Sequence, residues 1–268
     1  MSPSPQALRF GTEAHYIDAE LYDRNYKRRR YDVRFYESIA DEVGGPILEL
    51  GAGSGRVTLA LARRGHDVIA VDRMEPMLDR LRQALAKERA EVRARVKVVR
   101  GDLLSLRRKE RFKLVIAPFN VFMHLYSRRD VERAFATCRV HLAPKGRLVF
   151  DVLMPELRAF VRDPMRMYVS RPITDARGRK WNYAEQFHYD DETQIQMVTA
   201  VLSAVDDPTE VRILPLAHRQ FFPQELEALL HYHGFDVVNR WGDFERGPIR
   251  SGCESQVMVA KVRSAPRR

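Results

Sequence analysis

Cysteine is scarce in this 268-residue chain, which has only Cys138 and Cys253, and the two form no metal-binding or redox spacing. A disulfide-built secreted scaffold is excluded, and a reducing compartment, the cytoplasm, is expected. Long hydrophobic runs are missing too. A membrane span takes about 18 consecutive apolar residues, and the longest apolar stretch, Met197 to Val205, is broken by Thr199 and Ser203. No membrane partner is expected. The first residues, Met1 to Gln6, are rich in Ser and Pro and lack an apolar signal core, so they read as a short disordered lead-in and not as a targeting peptide.

Lysine is the third shortage. The net charge is +10, yet only eight of the 46 basic residues are lysine, and the arginines are spread over every segment. A nucleic-acid surface gathers its basic residues into a patch or stripe. Here Lys27-Arg28-Arg29-Arg30 and Arg107-Arg108-Lys109 sit among acidic neighbours. Nucleic acid is the disfavoured partner, though the charge alone does not exclude it.

What is present is an alternation of short buried runs with longer amphipathic ones. From Pro46 to Leu50, Asp67 to Val71, Val96 to Val99, Phe112 to Ala117 and Arg147 to Val152 the chain reads as strands. Helical stretches lie between them, including one from Gly55 to a stop at Gly65 and one from Glu75 to Ala90 with Met77, Leu78, Leu81 and Leu85 at helical spacing. This rhythm predicts βαβ units and a parallel sheet. Between residues 165 and 216 it changes to strand-like segments separated by turn chemistry, an antiparallel β layer. A helix led by Pro223 and ended by Gly234, then strands Phe235 to Trp241 and Gln256 to Val262, complete the chain. Ala19 to Val43 reads as a helical region ahead of the first strand.

The chemistry-bearing signal is Glu49-Leu50-Gly51-Ala52-Gly53-Ser54-Gly55-Arg56, between the first strand and its helix. Glycines there let a ligand approach the backbone closely. A dinucleotide fingerprint would place a small residue at position 56 for helix–strand packing, and Arg56 is too large for that. Asp72 ends the second strand 21 residues after Gly51, where a carboxylate can accept hydrogen bonds from ribose hydroxyls. Gly101-Asp102-Leu103 follows the third strand, placing a carboxylate for an adenine amine and an apolar wall beside it.

With these motifs the chain resembles the class I S-adenosylmethionine-dependent methyltransferases, over about residues 20–155. The resemblance implies a Rossmann-like α/β fold, a seven-stranded sheet of order 3-2-1-4-5-7-6 with an inserted antiparallel β cap. It implies a methyltransferase domain of residues 1–155 and 217–268 and a cap of residues 156–216. It also implies S-adenosylmethionine as cofactor, held by Tyr26, Glu49, Gly51, Ala52, Gly53, Gly55, Asp72, Arg73, Asp102, Leu103 and Pro118, with no metal. The insertion after the fifth strand is similar to the cap of bacterial small-molecule N-methyltransferases, so a small-molecule acceptor is expected, nitrogen before oxygen. An RNA or protein methyltransferase, or a non-catalytic cofactor-binding regulator, are the alternatives.

Ligands of open α/β sheets sit outside the carboxyl ends of the strands, which makes Ala117-Pro118-Phe119-Asn120-Val121-Phe122-Met123-His124 the acceptor-facing segment. Asn120 and His124 are its polar candidates for catalysis, and Arg219, where the insertion returns, is the third. A turn-stabilising amide and a packing histidine are the plainer readings of the first two. Tyr22, Tyr26 and Tyr31 either close over the cofactor or anchor their helix. In the insertion, alternation places Trp181, Tyr183 and Glu185 on one face.

Overall fold

The computed structural model describes residues 2–17, 26, 29–175 and 177–264. The chain divides into two compact units, Arg29–Met154 with Phe221–Arg268, and Met1–Arg28 with Pro155–Gln220.

The larger unit is built on β1 (Ile47–Leu50), β2 (Val68–Asp72), β3 (Val96–Arg100), β4 (Phe112–Ala117) and β5 (Leu142–Leu153). Every residue of β1 is buried, as expected of a central strand covered on both faces. It pairs in parallel with β2, Ile47 opposite Val68, and with β4, Ile47 opposite Leu114. The chain returns to this sheet after the insertion, so that a strand at Ser255–Val262 lies antiparallel between β5 and an edge strand at Phe235–Trp241. Counted within this sheet alone, the order is 3-2-1-4-5-7-6, as the resemblance implies. The strand order reverses between β1 and β4. Their carboxyl ends therefore flank the crevice where such sheets take ligands.

The helices follow their apolar spacing. In the larger unit these are α2 (Tyr31–Val43), α3 (Arg56–Arg63), α4 (Glu75–Ala86), the single turn α5 (Ala90–Arg93), α6 (Arg128–His141) and, after the insertion, α8 (Pro223–Tyr232). The helix α3 buries Val57, Leu59, Ala60, Leu61 and Ala62, and α4 buries Met77, Leu78 and Leu81. A capping box between Ser127 and Asp130 starts α6. Its last residue, His141, is fully buried and accepts the Arg108 N–H on Nε2 at 3.0 Å, so its proton sits on Nδ1 and is donated to the Thr137 carbonyl at 2.7 Å. Burial, with Arg107, Arg111 and Arg108 nearby, pushes its pKa down and keeps it neutral. His141 thus anchors the loop that follows β3.

The smaller unit contains α1 (Pro5–Ile17), the short α7 (Leu157–Phe160) and an antiparallel sheet of β6 (Tyr168–Thr174), β7 (Lys180–Asp190), β8 (Ile195–Ala204) and β9 (Val211–Arg219), in sequence order. Trp181 is buried among Ala200, Leu202 and Ala204, with Arg212 over its ring at 4.2 Å. Two expectations are corrected here. The N-terminal segment is not a disordered lead-in throughout: residues 5–17 are helical, with the Ser4 hydroxyl accepting the Ala7 N–H at 3.2 Å as a cap. Gly11 brings that helix close to β9, where a methyl group would lie 2.9 Å from the Ala217 Cβ. The helix α1, expected with the cofactor domain, belongs to the same compact unit as the insertion. The helix expected from Ala19 is described only over Tyr31–Val43, and Tyr22 lies outside the described residues. No helix among the described residues is long and apolar enough to cross a membrane.

Gly55 and Gly65 both adopt left-handed backbone, but a methyl on Gly55 would overlap Leu81 whereas Gly65 faces open space. Gly55→Ala is expected to cost about 2–5 kcal/mol, combining backbone strain with overpacking, and Gly65→Ala only the ~1–2 kcal/mol of strain. Chemical denaturation of the two variants side by side checks this; equal losses would contradict it.

Candidate active site

Three strand ends of the larger unit converge on one loop. Gly51 and Ala52 both donate their N–H to the Val71 carbonyl, at 2.8 and 3.0 Å, which ties the end of β1 to the end of β2. The Asp72 carboxylate then accepts the Gly53 N–H at 2.8 Å on Oδ2 and the Met74 N–H at 2.8 Å on Oδ1. Gly101 donates to the Asp72 carbonyl at 2.9 Å, so the third strand end joins the same cluster. Asp102 turns its carboxylate onto the Leu104 N–H at 2.8 Å, and Leu103 packs partly buried against the core. Burial raises the pKa of Asp72, and the Met74, Gly53 and Arg73 N–H groups pull it back.

This arrangement discriminates between ligands. A dinucleotide loop offers free N–H groups to a pyrophosphate. Here the N–H groups of Gly51, Ala52 and Gly53 are spent on Val71 and Asp72, and that of Gly55 on the Ala52 carbonyl. What remains is acidic: the Asp72 carboxylate, with about four acceptor sites, takes the N–H groups of Gly53, Met74 and Arg73 and keeps capacity for a hydroxyl donor. These acceptors suit the hydroxyls of a nucleoside, and the loop does not suit a diphosphate.

The segment after β4 forms a turn in which Phe119 and Asn120 both have positive φ, 63° and 65°. Val121 follows and fills the space beside Gly51, where a Cβ would collide with it. Asp151, fully buried on β5, accepts the Phe119 N–H at 2.8 Å and the Tyr36 hydroxyl at 2.6 Å on Oδ1, and the Asn120 N–H at 3.2 Å on Oδ2. The Phe119 ring lies under two guanidinium groups, Arg29 at 4.8 Å and Arg56 at 5.2 Å. Asp32, buried on α2, holds Arg56 in a bidentate pair at 2.7 Å on each oxygen and Arg29 at 3.4 Å.

The predicted residues Glu49, Gly51, Ala52, Gly53, Gly55, Asp72, Arg73, Asp102, Leu103, Pro118, Asn120 and His124 all belong to the larger unit, at the carboxyl ends of β1 to β4. Asn120 is buried, and His124 Nδ1 meets the Tyr126 hydroxyl at 3.1 Å. Tyr26 and Arg219 belong to the smaller unit. There Tyr26 is close enough to Tyr183 to affect its ionisation, and Arg219 pairs with Ile195 across the sheet. Tyr183 and Glu185 share a face as alternation predicts, the hydroxyl donating to the carboxylate at 2.7 Å. Sequence reasoning missed Asp32, Tyr36 and Asp151. A signal existed: Asp151 interrupts the apolar run Leu148-Val149-Phe150 and Val152, and a buried charge requires partners. A groove of about 620 Å³ between α8 and the edge strand Phe235–Trp241 contains none of the predicted residues and has no part in this cluster.

Glu49 is buried beneath the loop, with the Thr58 hydroxyl donating to it at 2.5 Å. Burial raises its pKa to about 8, against the opposing pull of Thr58 and Arg56. The folded protein thus keeps a proton that the unfolded chain releases near the ordinary 4.5. The associated stability is fully present below that value and is lost as pH rises through about 8. Without cofactor, the protein is expected to lose stability relative to Glu49→Gln between about pH 5 and 8, by roughly a few kcal/mol. Urea unfolding of both across that range is the check, and parallel profiles would contradict it.

Residues 47–146 match the family described as methyltransferase domain. An uncharacterised methyltransferase of Geobacillus kaustophilus is 29% identical over 151 residues, 53% of this chain and 66% of that protein. The chain spans under two thirds of the length of these curated relatives, and 27% of a ribosomal RNA methyltransferase of Streptomyces thermotolerans. Among solved structures, the CcbJ methyltransferase of Streptomyces caelestis aligns at a TM-score of 0.78 and 23% identity, covering 93% of this chain and 99% of that one. The glycopeptide N-methyltransferase MtfA aligns at 0.63 and 22%, covering 98% and 100%. Residues 47–146 are therefore a methyltransferase domain, and the chain has the Rossmann-like fold of the S-adenosylmethionine-dependent methyltransferases.

Proposed function

We propose that the chain transfers the methyl group of S-adenosylmethionine to the nitrogen of a small-molecule amine in the cytoplasm. Asp72 would take the ribose hydroxyls and Asp102 the adenine amine, with the glycine loop and Pro118 around the rest of the cofactor. The insertion, residues 156–216, would supply acceptor recognition.

One observation carries the choice of nitrogen. The acceptor-facing turn offers amide, imidazole and apolar groups but no carboxylate base, since Asp151 beneath it is fully buried and already takes three donors. A neutral amine brings its own lone pair and needs no general base, whereas a hydroxyl does. The cofactor, when bound, supplies an electrophilic methyl on a sulfonium; what remains for the protein is in-line alignment and exclusion of water. Support also comes from the coverage of the N-methyltransferase MtfA, which leaves no room to omit the inserted sheet from the likeness.

The basic charge favours a second reading, RNA methylation, and the assay separates the two. With labelled S-adenosylmethionine, small amines and amino sugars are expected to accept label, hydroxy acids poorly and tRNA not at all. His124→Ala should lower kcat by less than about tenfold, because a general base is typically worth 10²–10⁴-fold. A hundredfold loss with a hydroxyl acceptor would overturn the nitrogen reading. Submicromolar tRNA affinity that falls by roughly three decades between 50 and 200 mM salt, with label in RNA, would overturn the small-molecule reading.

A further inference from the structure

Two consecutive non-glycine residues with left-handed backbone, Phe119 and Asn120, are unfavourable for L-amino acids and persist only where surrounding structure over-determines them. Three donors here converge on one buried carboxylate: the N–H groups of those two residues and the Tyr36 hydroxyl. Both N–H groups point to the same side of the turn because both residues are left-handed, and Asp151 receives them one on each oxygen. Tyr36, fully buried on α2, adds its hydroxyl to the same oxygen that takes the Phe119 N–H.

The sheet order fixes which part of the site this turn serves. Asp102 follows β3 and Asp72 ends β2, so adenine and ribose take those two strand ends if the proposed function is right. The amino-acid end of the cofactor must then lie toward β1 and β4, over the turn whose next residue, Val121, already packs on Gly51. We propose that Tyr36 and Asp151 are a positioning pair that fixes the left-handed Phe119–Asn120 turn and thereby shapes the subsite for the amino-acid end of the cofactor. Neither residue touches the reacting atoms. Their effect passes through the backbone of the turn.

The inference rests on the proposed cofactor, and the test separates the two. Calorimetry compares S-adenosylmethionine with 5′-methylthioadenosine, which keeps the adenosine and lacks the amino-acid end. Tyr36→Phe keeps the buried ring and removes one donor; Asp151→Asn keeps the shape but offers an amide N–H to a backbone N–H. Each is expected to weaken S-adenosylmethionine about tenfold or more while methylthioadenosine changes less than about twofold. Asn120→Gly, which adopts positive φ freely, is expected to recover part of the loss when added to Tyr36→Phe. In the wild type, the Phe119 and Asn120 amides should be protected from hydrogen exchange without any ligand. Folded variants that weaken both ligands equally, or neither, would overturn the positioning role. Fast exchange at both amides in the wild type would overturn it whether or not the variants fold. A wild type that binds neither ligand would overturn the cofactor assignment and this inference with it.

Discussion

The Asp72 carboxylate is the fixed point of the larger unit. It takes the N–H of Gly53 on one oxygen and of Met74 on the other, so it holds the glycine loop after β1 against the turn that starts α4. Charge-assisted bonds of this kind are roughly twice as strong as neutral ones. They are needed because Gly51, Gly53 and Gly55 all adopt positive φ and no glycine side chain packs to hold the loop. The same arrangement selects the ligand. Loop N–H groups spent on Val71 and Asp72 are not available to phosphate, while the remaining acceptor capacity of Asp72 suits hydroxyl donors. Leu81 from α4 closes on Gly55 and Val121 closes on Gly51, so the loop is packed from two sides.

The charge of the protein is organised differently from what its total suggests. Arg63 pairs with Glu88, Arg64 with Asp41, Arg82 with Glu75 and Asp79, Arg179 with Asp206 and Glu210, and Arg246 with Glu42. Exposed pairs of this kind contribute little to stability. They do occupy guanidinium groups that phosphates would otherwise neutralise. Arg108, in one of the basic clusters, pairs with Glu110 two residues on. The buried exception is the Arg29–Asp32–Arg56 group, which stacks on Phe119 and couples the start of α2 to the turn after β4.

The fold was legible because its signals are local. Four-to-six-residue apolar runs alternating with 3.6-periodic stretches dictate the parallel sheet, and the carboxylates at strand ends follow from their position after those runs. Arg56 shows how far such reasoning reaches. Its size correctly argues against a dinucleotide loop, but the side chain's partner, Asp32, lies 24 residues away and no local pattern announces it. Asp151 and Tyr36 are 115 residues apart and meet only because β5 lies beside β4 with α2 packed on the sheet. The N-terminal helix was misread for the opposite reason. Its Ser and Pro residues suggest disorder when counted, yet Ser4 and Pro5 stand at the cap and first-turn positions that start helices.

Calorimetric titration of the protein with S-adenosylmethionine, run beside NAD and repeated on Asp72→Ala, tests the central claim most directly. The account predicts saturable one-site binding of S-adenosylmethionine and no comparable binding of NAD. It also predicts a loss of roughly 2–4 kcal/mol in Asp72→Ala, the worth of hydrogen bonds to a charged acceptor. NAD binding as tightly as S-adenosylmethionine, or an Asp72→Ala affinity equal to the wild type, would contradict it.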